Sequence, residues 1–216
     1  MDQYICYFAR ASTALFLDTR ALEHQYVPLN LKDVALLVVD SGVKRALSHS
    51  GYADRRRECR EAARWLAQRF PSRGILTLRD VGEDLLQRVK AEMPHVLYKR
   101  TLHVVQENGR VLATVEALKQ EDWQEVGRLL FASHESLRDF FQVSIPEADF
   151  LVEWGMEHGA LGARIVGGGF GGITLHLVPR EASDAFSQGI HKAYMQRFGR
   201  DTMVLEVRAA DGANIL

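Results

Sequence analysis

Five glycines in six positions, Gly167-Gly168-Gly169-Phe170-Gly171-Gly172, separate two apolar segments, residues 163–166 and 173–178. A run of this kind loses unusually large conformational freedom on folding, so its use must be one that side chains would spoil: backbone at positive φ, or close approach of another backbone or a ligand. Successive N–H groups in such a turn can also form a concave anion site. A tightly packed strand connection with no ligand fits the same description, and the six residues alone leave both readings open.

The rest of the chain is ordinary enough to make that run stand out. Its 216 residues, 47% hydrophobic and 25% charged with a formal net charge of -1, suit one large domain, or a domain with an attached piece, around a substantial core. The charge balance gives no global electrostatic reason to expect nucleic acid or an anionic membrane as partner. No apolar stretch approaches the roughly 20 residues of a membrane span. The first residues lack the basic-then-apolar pattern of a signal peptide, so the expected compartment is cytoplasmic. Cys6 and Cys59 belong to no CxxC or Cys/His cluster, and reduced thiols are expected. The histidines at 24, 49, 95, 103, 134, 158, 176 and 191 show no metal-ligand spacing with carboxylates and are expected at the surface or the core's edge.

Strand patterns come first along the chain: residues 13–18, 25–29, and the continuous apolar run 34–39 expected of a buried strand. After Asp54, read as an N-cap, Cys59, Ala62, Ala63, Leu66, Ala67 and Phe70 recur at helical steps and stop before Pro71. The run Arg55-Arg56-Arg57 then falls in a first turn, where the helix dipole disfavours it; it is either a solvated helix start or a local recruiter of phosphate or carboxylate. Helical spacing continues over 102–118. Asp122-Trp123-Gln124-Glu125 resembles a capping box, and Ser144-Ile145-Pro146-Glu147 supplies another capping pattern, with proline at the first helical position. A last helix is expected over 181–198, where Ala182, Phe186, Ile190, Tyr194 and Phe198 keep a four-residue step before Gly199, and a closing strand over 204–207. Strands and helices mix without a βαβ repeat, so the expected class is α+β.

Four separated motifs carry a family resemblance. Met1-Asp2-Gln3, Ser50-Gly51-Tyr52 with Arg55-Arg56-Arg57-Glu58-Cys59, His103-Val104-Val105-Gln106-Glu107-Asn108, and Gly159-Ala160-Leu161-Gly162-Ala163-Arg164 leading into the glycine run resemble, in order and spacing, the galactokinases of the GHMP kinase superfamily. The resemblance covers essentially the whole chain, yet only the C-terminal part of such an enzyme. It implies a remnant of the N-terminal lobe at 1–32 and the C-terminal lobe, an antiparallel sheet with packed helices, at 33–216.

What the resemblance implies for function follows residue by residue. In that family the aspartate of Gly-Ile-Met-Asp-Gln is the catalytic base near the sugar's C1 hydroxyl, and Asp2 stands at its place. A carboxylate suits that work, since it can accept or orient a hydroxyl proton while a γ-phosphoryl group moves. Tyr52 stands where the family's tyrosine hydrogen-bonds galactose. Lys44 stands where the family carries a basic residue, as a candidate phosphate contact or an exposed lysine. Gly167, Gly168, Gly169, Gly171 and Gly172 correspond to the family's third motif, which shapes the active-site cleft. The implied reaction uses ATP, with magnesium, to phosphorylate α-D-galactose at its C1 hydroxyl. The family's galactose-recognition segment, ATP phosphate loop and magnesium-binding carboxylate precede the Met-Asp-Gln position and have no counterpart in these 216 residues. The expectation is therefore little activity from this chain alone, with an N-terminal fragment as partner. The alternative is a nonenzymatic galactose-binding or regulatory module.

Overall fold

The computed structural model describes residues 1–44 and 50–213. Its elements are α1 (Asp2–Phe8), β1 (Thr13–Asp18), β2 (Glu23–Pro28), β3 (Val34–Asp40), α2 (Ser50–Arg69), α3 (Glu83–Val89), α4 (His95–Lys119), α5 (Trp123–Ser136), α6 (Pro146–Glu157), β4 (Gly162–Ile165), β5 (Ile173–Pro179), α7 (Ser183–Phe198) and β6 (Val204–Val207). A π-helical turn, Leu137–Phe141, follows α5 directly. The class is α+β, as expected.

The apolar run 34–39 becomes β3, second from one edge of an antiparallel sheet ordered β4-β5-β3-β6. It pairs with β5 from Val34↔Pro179 to Asp40↔Ile173, and with β6 from Leu36↔Val207 to Val39↔Val204. Both faces are covered, which is why the strand does not alternate. Ala35, Leu37 and Val39 pack with Leu151 of α6 and with Phe186, Ile190 and Tyr194 of α7. Val34, with Leu36 packed beside it, joins Leu177, Val115, Leu118 and Val126 on the other side, under α4 and α5. Complete burial of a side chain such as Ile190 contributes about 2 kcal/mol. The four-residue step Phe186, Ile190, Tyr194 is thus the seam of α7, and Gly199 ends that helix at φ +63°.

A second core lies in a helical arm, where Ala62, Ala63 and Leu66 of α2 meet Leu85, Leu86 and Val89 of α3 and Val105 of α4. β1 and β2 form a separate hairpin, Thr13↔Pro28 to Asp18↔Glu23. Its tip is fastened to the arm by two crossed ion pairs, Arg79 to Asp18 (Nη2 to Oδ2, 2.5 Å) and Arg20 to Asp80 (2.8 Å). The link between hairpin and sheet is fastened by Arg180, whose guanidinium donates to the carbonyls of Leu31, Lys32 and Val34.

Local expectations shift in three places. The second strand spans Glu23–Pro28 rather than 25–29, because pairing with Asp18 begins at Glu23. α2 starts at Ser50, so Asp54 does not cap it; that carboxylate instead pairs with Arg57 within the helix at 2.6 Å. The arginine run therefore falls in the second turn, where the dipole objection fades. Ser144 likewise leaves α6 uncapped and donates its hydroxyl to Asp149. The capping reading does hold at Asp122, which accepts the Glu125 N–H at 3.0 Å.

Candidate functional site

The glycine run is the turn of the β4–β5 hairpin, closed by the Val166 N–H donating to the Ile173 carbonyl at 3.1 Å. Gly167, Gly169, Gly171 and Gly172 all have positive φ, and so does Phe170, at +59°. Two carbonyls explain the missing side chains. A Cβ on Gly169 would lie 2.4 Å from the Val143 oxygen, and one on Gly171 would lie 2.5 Å from the Val43 oxygen. Those same oxygens accept from the turn: Phe170 N–H reaches Val143 at 2.7 Å, and Gly172 N–H reaches Val43 at 3.1 Å. These two N–H groups are thereby used by the protein itself, so the anion-cradle reading loses both, and backbone packing is what the turn displays.

The turn meets the start of α2. The Phe170 ring, packed beside Val143 and Ile165, presses on Gly51, where a Cβ would fall 2.7 Å from the ring's Cζ. Tyr52 comes next: its Cδ2 lies 3.9 Å from the point a Cβ on Gly168 would occupy, while most of its side chain is exposed. Lys44 is exposed and follows Val43, whose carbonyl holds Gly172. Tyr52, the glycine turn and the backbone leading to Lys44 are thus brought to one place. His49 lies outside the described residues.

Beneath them runs a polar ladder along one face of α4. Arg100, only 2% exposed, donates Nε to Glu58 of α2 at 2.6 Å and Nη2 to the Gln142 side chain at 2.8 Å; Nη1 bonds the Phe140 carbonyl. Glu58 also pairs with Arg55, which accounts for one member of the arginine run. One turn on, His103 bonds Ser136 through Nδ1 at 2.8 Å and stacks on Phe141. Burial pushes its pKa down to about 4. Glu107 follows, accepting from Arg110 (2.7 Å), Ser133 (2.6 Å) and Arg164 (3.0 Å). Burial alone would raise the Glu107 pKa, and these donors outweigh it, so the carboxyl titrates below its usual range.

Three histidines depart from the expected surface or core-edge position. His103, His134 and His176 are interior, because each ring finds a local partner: Ser136, the Ile165 N–H and the Thr174 hydroxyl. Burial lowers the His176 pKa to about 3. Among the described residues no three His, Cys, Asp or Glu side chains gather to hold a metal ion.

Asp2 lies elsewhere. It sits in the first turn of α1 and lines a cavity of about 480 Å³ between α1, β1, α4 and α5, whose wall includes Glu107, Arg110 and Arg164. Tyr52, Lys44 and the glycine turn are not part of that wall. The link between the two places is β4, which supplies Arg164 to the cavity and runs into the turn three residues later. The sequence motifs singled out the ends of this arrangement and gave no role to its middle: Glu58 and Arg164, which stand within them, and Arg100 and Arg110, which do not. The available signal was the recurrence of polar residues at 100, 103, 107 and 110, three- and four-residue steps that place them on one helical face.

Residues 114–195 match the family model described as GHMP kinases C terminal. A galactokinase from Thermotoga neapolitana is 44% identical over 214 residues, and one from a Roseiflexus species is 44% identical over 213. Each match covers 98% of this chain, but 58% and 54% of the relative, so the chain spans little more than half the length of these relatives. The crystal structure of Lactococcus lactis galactokinase complexed with galactose superposes with a TM-score of 0.92 at 30% identity, covering 99% of this chain and 55% of that one.

Proposed function

Because this chain belongs to the GHMP kinases, as a relative of the galactokinases along nearly its whole length, we propose that it supplies one side of a galactokinase active site. The reaction is transfer of the ATP γ-phosphoryl group to the C1 hydroxyl of α-D-galactose. A new bond forms between that oxygen and the γ-phosphorus, the bond to the β–γ bridging oxygen breaks, and ADP leaves. Such transfers depend on positioning and electrostatics more than on covalent help from the protein.

The observation that carries this reading is the meeting of Tyr52 with the glycine turn, two segments distant in sequence joined through Phe170 and Gly51. Tyr52 offers a phenolic hydroxyl that can donate to and accept from a sugar hydroxyl. The glycine turn forms the wall behind it, and Lys44 is a candidate phosphate contact beside it. Asp2 takes or orients the C1 hydroxyl proton. Magnesium enters with ATP, as the ion that neutralises phosphate charge; no protein ligand to it is assigned among the described residues. The remaining parts of the site belong to an N-terminal portion, whichever polypeptide carries it, and the cytoplasm is the compartment. Residues 1–32 and 33–216 are read as pieces of the two lobes.

Galactose-dependent ADP formation, measured with the N-terminal portion present, tests the assignment. Asp2→Asn should lower kcat by about 100-fold or more with KM for galactose little changed, the scale of general acid–base help. Tyr52→Phe should raise KM for galactose instead. An Asp2→Asn protein with unimpaired kcat removes Asp2 from the mechanism. Galactose binding measured by calorimetry, with no turnover under any of these conditions, would instead establish a nonenzymatic binding module.

A further inference from the structure

We propose that Arg100 is a positioning residue that holds Tyr52 and the glycine turn in register. The inference rests on the reading of Tyr52 as a sugar contact. Its geometry is a closed circuit. Nε of Arg100 takes Glu58, two turns after Tyr52 on α2, and so fixes the helix that presents Gly51 and Tyr52. The other end of the guanidinium takes the Phe140 carbonyl and the Gln142 side chain. Gln142 leaves the π-helical turn in the left-handed region at φ +56°, a conformation costly for a residue with a Cβ. The following residue, Val143, is the one whose carbonyl receives the Phe170 N–H and lies against Gly169. Phe170 then closes the circuit by pressing on Gly51.

A planar guanidinium is suited to this work because its N–H groups point in fixed, divergent directions, so one side chain sets the angle between two backbone segments. Lysine, with a point charge on a flexible stem, can keep the charge without the angle. Burial raises the stakes, since a charge left without its partner there is poorly solvated.

Amide hydrogen exchange in Arg100→Lys, Glu58→Ala and Glu58→Gln tests this, with galactose titration run beside it. The expected result is selective loosening: in Arg100→Lys and Glu58→Ala, the Phe170 N–H exchanges at least tenfold faster while Leu37 in β3 keeps its wild-type rate. Glu58→Gln, which retains an acceptor for Arg100 Nε, should restore the wild-type Phe170 rate. Should Arg100→Lys fail to fold, Gln142→Asn on the exposed side of the circuit carries the same expectation. Unchanged exchange at Phe170, or equal acceleration at Phe170 and Leu37, overturns the proposal, the latter because it would mark a contribution to global stability alone. Loosening at Phe170 without any change in galactose affinity keeps the positioning role and removes the sugar-contact reading.

Discussion

Two regions carry the residues assigned to chemistry, and they are built in opposite ways. Around Tyr52 the backbone is hemmed in: carbonyls at Val43 and Val143 grip the glycine turn, Phe170 fills the space over Gly51, and Arg100 ties the supports together. Around Asp2 very little is buried. α1 buries none of its residues and rests on the hairpin through Tyr4, whose hydroxyl meets His24 at 2.7 Å, and through Phe8, whose carbonyl accepts from Tyr26. The difference teaches that this chain fixes the glycine turn by itself, while the segment holding Asp2 draws its order from a hairpin and a cavity edge.

Acid should separate the buried interior from the exposed hairpin latch most strongly. His103 and His176 have folded pKa values lowered to about 4 and about 3, so the unfolded chain binds protons near 6.5 that the folded chain refuses. Their contribution to stability is complete above about pH 6.5 and is lost as pH falls from there toward 4, by roughly a kcal/mol or more per pH unit for each ring. Urea midpoints between pH 7 and 4.5 check this, and a flat profile would contradict the buried neutral rings. The hairpin latch has a different window. Asp80, its pKa lowered to about 2 chiefly by the Thr77 N–H and then by Arg20, keeps its contribution above about 3.8 and loses it only as pH falls through about 2.

Gly169→Val comes next. A β-branched side chain at φ +76°, with its Cβ 2.4 Å from a carbonyl oxygen, should cost about 3 kcal/mol or more in urea unfolding. Gly74→Ala is the paired control: φ is +62° but the space is open, so the expected cost is about 1 to 2 kcal/mol from backbone strain alone. Equal losses would mean that close approach adds nothing at the turn. A smaller effect is expected for Arg79→Ala, which should leave the melting temperature nearly unchanged yet speed amide exchange at the tip of β1, since the lost partner is Asp18. The smallest belongs to Ile5→Ala on α1, within about 0.5 kcal/mol; a larger loss would show that α1 is better anchored than its exposure implies.

The sequence made some of this contrast legible and hid the rest for a physical reason. Positive φ in the glycine run, the doubly covered strand at 34–39, the α7 seam and the Asp122 cap are all properties of local spacing or residue type, and they stand as expected. The start of α2 did not, because Asp54 had a second use for its carboxylate, an ion pair within the helix. Phe170 in the left-handed region, and its ring seated on Gly51, depend on segments that meet only after folding. The same holds for Glu58 and Arg100, 42 positions apart: a motif includes Glu58 and none includes Arg100, and nothing in either stretch says that they touch.

β3 has its own consequence for how the molecule comes into being. It precedes five helices in the chain, yet both its neighbours, β5 and β6, come only after them. During translation the most apolar strand must therefore wait, with both edges unpaired, while the helical arm is still being made. Long-range pairing of this sort is slow, and the waiting strand is exposed to self-association. The ribosome-bound chain, rather than the finished protein, is where substitutions that slow the closing of β5 should first be felt, as lost soluble yield at unchanged final stability.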